Sequence, residues 1–165
     1  MHLHLNGPRS TTWKLVFSAL VIAIYIVVMY FTQSFAFGQY QIRIATALYA
    51  SAYVFPFLTL PLALSNLLAN MVMGGLGFFD IVGGGLVGLA TAGVCAILGK
   101  KKVTEWAVIA PIALIPAFGV SLWLSGILGV PYWTLALSLL VGQTIAGVAG
   151  VFLVKGLKYI WRDQK

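Results

Sequence analysis

Seventeen residues in succession, Leu15 to Phe31, carry no charge. At 1.5 Å per residue, a helix of about 20 residues crosses the roughly 30 Å hydrocarbon core of a bilayer. The stretch from about Thr12 to Thr32 supplies that length. Further apolar runs fill the chain to its end, separated by short segments rich in Gly, Pro or Lys. Such a pattern excludes a water-soluble fold. A soluble domain carries about 25% charged residues; this chain has 8%, with 61% hydrophobic residues and a mean hydropathy of +1.02. Arg9 and Lys14 flank the first run, and Ser34-Phe35-Ala36 resembles a signal-peptide cleavage site. The run nevertheless exceeds the roughly 7–15 apolar residues of a signal core, so it reads as a retained helix.

The 165 residues fit a single all-α domain, 1–165, built as an integral membrane bundle of six transmembrane helices. After the first helix, a second is expected from about Gln41 to Leu58, where Pro56 and Pro61 disfavour its continuation. Leu62 to Met73 forms a third, marginal in length for a span. Gly74-Gly75-Leu76-Gly77 turns the chain. Asp80 precedes a glycine-rich fourth helix, Ile81 to Leu98, in which Gly84 and Gly88 have the spacing of close helix packing. A fifth runs from Trp106 to Leu128, with Pro111 and Pro116 predicting a kink or break near its start. The sixth runs from Tyr132 to Tyr159.

Charge placement orients this bundle. Six spans put Arg9, Lys14, Lys100, Lys101, Lys102, Lys155, Lys158, Arg162 and Lys165 on one side, and Arg43 alone on the other. Cytoplasmic segments carry the Lys/Arg excess, so both termini are expected in the cytoplasm. Trp13, Trp106 and Trp161 mark the inner helix ends and Trp123 and Trp133 the outer ones, as interfacial indoles do. The formal charge of +7 therefore reports orientation and lipid headgroups, with no need for nucleic acid.

Catalytic chemistry has little to work with. The acids are Asp80, Glu105 and Asp163, and the histidines, His2 and His4, sit at a terminus where fraying is the plain reading. Cys95 is the single cysteine, which precludes an internal disulfide. Gly99-Lys100 lacks the rest of a Walker phosphate loop. An enzyme, a cofactor and a metal site are not expected, and ATP-driven work must come from another chain. What remains is binding. The outer half gathers Gln33, Gln39, Tyr40, Gln41, Arg43, Thr46, Tyr49, Asn66, Asn70, Asp80 and Gln143 among aromatic residues. Apolar walls with a few amides suit an uncharged, hydrogen-bonding organic ligand. Asn66 and Asn70 share one helical face, and buried amides need partners or a cavity. Asp80 reads as a helix N-cap or as a ligand contact. Arg43 is a site candidate, as ionisable residues in membrane helices are, or a side chain snorkelling to headgroups.

Six short spans, cytoplasmic termini, the pair Ala19-xxx-Ala23 and a polar first outer loop resemble the substrate-binding S component of an energy-coupling factor (ECF) transporter. Within that group the chain resembles the queuosine-precursor transporter (QueT) family, which includes cobalamin-binding members. The resemblance rests on Phe37-Gly38 with Gln41 and Arg43, then Ala47-Leu48; on Ala69-Asn70 with Gly74-Gly75; and on Asp80-Ile81-Val82. It implies a cell-membrane importer subunit that captures a vitamin-like micronutrient outside. That subunit then docks through Ala19 and Ala23 on a transmembrane scaffold (T component) served by two ATPases. Two positions depart from the family. Thr46 stands where a Glu is usual, and Gln143 aligns with an acid of the sixth helix. A cationic aminomethyl-deazapurine would want those carboxylates, so cobalamin, dressed with neutral amides, is the expected substrate, with a queuosine precursor as the alternative. A stand-alone oligomeric channel or carrier, or a ligand-free structural subunit, are competing classes.

Overall fold

The computed structural model describes residues 10–36, 42–73 and 76–162, and among them every regular element is helical. Helix α1 spans Thr11–Ala36. Its first turn is capped by Ser10, whose Oγ accepts the Trp13 N–H at 3.2 Å, satisfying one of the free amides of a helix start. Val21, Tyr25 and Met29, four apart, are buried, whereas Leu15, Val16, Leu20, Ile24, Val27 and Phe31 face outward. One narrow stripe thus holds α1 to the body, against the third helix and the segment after the first loop.

That segment departs from the expected second helix. Ile44–Ala50 is a 3₁₀ helix, followed by one α-helical turn, α2, Ser51–Val54. The chain breaks at Phe55, and Pro56–Leu58 starts a new 3₁₀ turn that leads into α3, Thr59–Val72. Pro61 therefore does not separate two helices. It occupies the first turn of α3, where no intrahelical N–H is required, and the third segment is longer than the expected Leu62–Met73. The 3₁₀ rod is rich in alanine, with Ala45, Ala47, Ala50 and Ala52 buried along it and its continuation. Seven residues at about 2.0 Å and four at about 1.5 Å reach roughly 20 Å, short of a full crossing. Non-helical or tightened backbone at such depth is tolerated where protein surrounds it, and this segment packs against all the long helices.

Helix α4 spans Phe78–Lys100, starting earlier than expected, with Gly77 as its N-cap. The Gly77 φ of +100° lies where a side chain would be strained. Its C-terminus closes as a Schellman motif. Lys102 N–H bonds the Gly99 carbonyl and Val103 N–H the Leu98 carbonyl, both at 3.1 Å, and Lys102 adopts φ +54°. Glycine normally fills that position; an L side chain there costs about 1–2 kcal/mol. A 3₁₀ turn, Glu105–Val108, leads into α5, Ile109–Leu128, which runs unbroken through Pro116. The expected break near its start is instead this change from 3₁₀ to α winding, with Pro111 in the first α turn, where its missing N–H is harmless. Helix α6 spans Tyr132–Arg162.

Side-chain contacts fix the topology as alternating passes. Trp13 lies against Phe55 and Phe57, and Tyr25 against Tyr49. Asn66 meets Gly84, and Asn70 meets Asp80. Trp123 reaches Asp80, Tyr132 reaches Phe118, and Lys158 reaches Glu105. Each segment runs antiparallel to the next. Four helices, Thr11–Ser34, Phe78–Lys100, Glu105–Leu128 and Tyr132–Ile160, are long and apolar enough to cross a membrane; Ile44–Val54 and Pro56–Val72 are shorter. Lysines 14, 100–102, 155 and 158 collect at one end of the bundle, and Arg43 lies toward the other.

Candidate functional site

Between the apolar faces of α3, α4, α5 and α6 sits a polar cluster grown from the Arg43–Thr46 turn. Arg43, Thr46, Asn66, Asn70, Asp80 and Gln143 are each at most 6% exposed. Arg43 Nη2 donates to Asn70 Oδ1 at 2.5 Å. Asn70 Nδ2 donates in turn to the Asp80 carbonyl at 3.0 Å. A guanidinium only donates and a carbonyl only accepts, so these partners fix the Asn70 amide orientation. A hydrogen bond to a charged group contributes about 1.5–3 kcal/mol, which holds the start of the 3₁₀ rod to α3.

Asp80 does not have the N-cap role expected of it. It is the third residue of α4 rather than its N-cap. Its carboxylate accepts the Leu76 N–H through Oδ2 and the Trp123 indole N–H through Oδ1, both at 3.2 Å. It reaches back like the acid of a capping box and also ties α4 to α5.

Asn66 Nδ2 donates to the Gly84 carbonyl and to Tyr49 Oη, both at 2.8 Å; the carbonyl again sets the amide orientation. Tyr49 Oη lies 3.3 Å from Tyr25 Oη on α1. Thr46 Oγ1 is 2.7 Å from the Arg43 carbonyl and 2.9 Å from Gln143 Oε1. A hydroxyl has one proton, so it can donate to only one of these two acceptors at a time.

The glycines of α4 make room for these groups. A Cβ at Gly84 would stand 2.5 Å from Asn70 Nδ2, and one at Gly88 would stand 2.8 Å from Tyr49 Oη. Close packing is thus partly a matter of admitting polar side chains, beyond backbone approach alone. Arg43, Thr46, Tyr49, Asn66 and Gln143, with Val87, Pro116 and Val120, line a cavity of about 10 Å³, roughly the room of one water. Asn66 Oδ1 is buried and carries no hydrogen bond. A larger ligand needs the cluster to open.

Seven of the residues singled out in the sequence, Arg43, Thr46, Tyr49, Asn66, Asn70, Asp80 and Gln143, thus share one cluster. Gln39, Tyr40 and Gln41 lie outside the described residues. Gln33 is exposed on α1, away from the cluster. Ala19 and Ala23 lie on the exposed face of α1. Sequence reasoning missed Tyr25, Trp123 and the apolar wall. Only the four-residue spacing of Tyr25 with Val21 and Met29 hinted that it faces inward. Among the described residues no three His, Cys, Asp or Glu side chains come together to hold a metal. Glu105 stands at the opposite end of the bundle with Lys158. The chemistry of the cluster is hydrogen bonding in an apolar frame, with one guanidinium.

A family model described as QueT transporter covers residues 15–159, a range that holds the whole cluster. No curated protein and no solved structure matches the chain.

Proposed function

Because the chain belongs to the QueT transporter family, we propose that it is the substrate-binding S component of an ECF-type importer in the cell membrane. The observation that carries this is the buried cluster of Arg43, Thr46, Asn66, Asn70 and Gln143. It is rich in amides and sits inside an apolar bundle. It has the donors and acceptors of a recognition site. Asp80 stiffens it through Trp123.

In this reading all six segments cross or line the membrane, with both termini in the cytoplasm and the Arg43 end outside. Substrate enters from outside and displaces contacts within the cluster. The loaded protein docks through the Ala19 and Ala23 face of α1 on a transmembrane scaffold. Two ATPase subunits bound to that scaffold drive release. The chain hydrolyses nothing itself.

A small planar heterocycle with amide-like edges, the queuosine-precursor type, fits this cluster with the least opening. An uncharged, nitrile-bearing 7-deazaguanine is preferred over its aminomethyl cation, because Thr46 and Gln143 offer no carboxylate. Cobalamin is the second reading. The amides of Asn66, Asn70 and Gln143 favour its neutral side chains, but its bulk demands a far larger opening. Calorimetry on the purified protein in detergent separates the two. Heat of binding with the nitrile compound alone supports the first reading and with cobalamin alone the second. Silence from both rejects this substrate range. Co-purification with a scaffold and an ATPase pair tests the assembly separately from the ligand. Uptake by liposomes holding this chain alone would favour a self-contained carrier.

A further inference from the structure

At the lysine-rich end, α2, the end of α4, the 101–104 turn and the end of α6 enclose a depression of about 720 Å³. Its floor is bonded together. Lys158 Nζ donates to Glu105 Oε1 at 2.5 Å and to Tyr53 Oη at 3.2 Å, and Tyr53 donates to the Val103 carbonyl. Lys158 thereby neutralises Glu105, while an ammonium has three protons to give, so one remains. Lys102 and Thr104, both exposed, also line the depression. The net charge facing it is positive.

Lys102 is the second observation. It is the one non-glycine residue with positive φ among those described. It holds the place in a Schellman motif where glycine is the usual occupant. A strained residue kept at a site is a pointer to function when something there uses its side chain. Here the side chain supplies the uncompensated cation on the rim. Lys155 lies over the Trp106 ring at 4.5 Å beside it, and Trp106 is half exposed, as an interfacial indole is.

We propose that this depression binds the phosphate of an anionic lipid headgroup, held by Lys102, the free proton of Lys158 and the Thr104 hydroxyl. Basic pockets between membrane helices bind such headgroups through charge that neighbouring lipids cannot screen away. The lipid ties α2, α4 and α6 together where the 3₁₀ segment ends.

The test is thermal unfolding of the full chain in nonionic detergent with phosphatidylglycerol, phosphatidylcholine or inorganic phosphate added. Phosphatidylglycerol should raise the midpoint by several degrees over phosphatidylcholine, with little effect of inorganic phosphate. Lys102→Gly relieves the backbone strain, so its midpoint without lipid should equal or exceed that of the parent. Its response to phosphatidylglycerol should fall by at least half. Lys102→Asn, which also accepts the left-handed conformation, should behave alike if the glycine loosens the turn. Lys101→Ala, outside the depression, should keep the full response. Equal loss in Lys101→Ala means diffuse attraction and overturns the site. So does an unchanged response in Lys102→Gly, or an equal shift with phosphatidylcholine. An equal shift with inorganic phosphate overturns the lipid as its source.

Discussion

At Gly88 a single hydrogen leaves the room that the Tyr49 hydroxyl occupies. Replacing it by a methyl group brings a carbon to 2.8 Å from Tyr49 Oη and 3.4 Å from Ala63 Cα. Tyr49 cannot retreat, because it is fully buried and bonded to Asn66 and Tyr25. Overpacking of this kind costs about 1–3 kcal/mol. Gly88→Ala should therefore lower the unfolding midpoint in detergent and weaken ligand binding. Gly126→Ala is the matched control: nothing stands within 4 Å of its Cβ. There the gain in helix propensity, up to about 1 kcal/mol, should leave stability equal or higher. If both variants behave alike, the glycines of α4 are not making room for the cluster. Thr46 offers the complementary experiment on specificity. Thr46→Glu adds a carboxylate beside Gln143, where Thr46 Oγ1 now lies 2.9 Å from Oε1. Titration calorimetry should then show the ratio of affinities for aminomethyl over nitrile deazaguanine rising tenfold or more, about 1.4 kcal/mol. An unchanged ratio would place Thr46 away from the ligand.

At the scale of elements, the long helices were legible and the short ones were not. Uninterrupted apolar runs and flanking lysines marked α1, α4, α5 and α6 closely. Arg43, Asn66, Asn70 and Gln143 stood out because an amide or a charge in such runs demands a partner. The 3₁₀ rod was invisible because 3₁₀ and α helices share composition. Its winding answers to packing among four neighbours, which no local pattern carries. Pro61 misled for a related reason, since a proline signals a helix start as readily as an end. Asp80 was misplaced by one turn because Gly77, with its positive φ, could take the cap instead. Trp123 reached the cluster from 43 residues away, beyond any sequence window. The outward face of α1 supplies the element-scale prediction. Ala19 and Ala23 are exposed, and α1 is held by one stripe. Tryptophan at either should leave the fold and ligand binding intact, yet reduce uptake in cells at least tenfold by keeping a partner helix from close approach. Unimpaired uptake with tryptophan at both positions would remove α1 as the docking face.

For the whole molecule, polar function and basic charge occupy opposite ends of one bundle. The Arg43–Asn70–Asp80–Trp123 chain of bonds closes one end, and the Lys158–Glu105–Tyr53 group closes the other. Antiparallel packing links these ends to the topology. Gln33, exposed near the end of α1, lies toward the first end, and Lys101, just after α4, lies at the second. The distribution of lysines predicts that the second end faces the cytoplasm. The native thiol, Cys95, is fully buried, so the background of chemical labelling is low. Gln33→Cys should then react with a membrane-impermeant maleimide on intact cells, and Lys101→Cys should react only after permeabilisation. The reverse pattern would invert the molecule and put the Arg43 cluster inside, which an importer's capture site cannot tolerate. Labelling of both from outside would mean that the passes between Gln33 and Lys101 do not carry the chain across as an odd number. The short pair, Ile44–Val54 and Pro56–Val72, changes sides together or not at all, so α4 alone decides that parity.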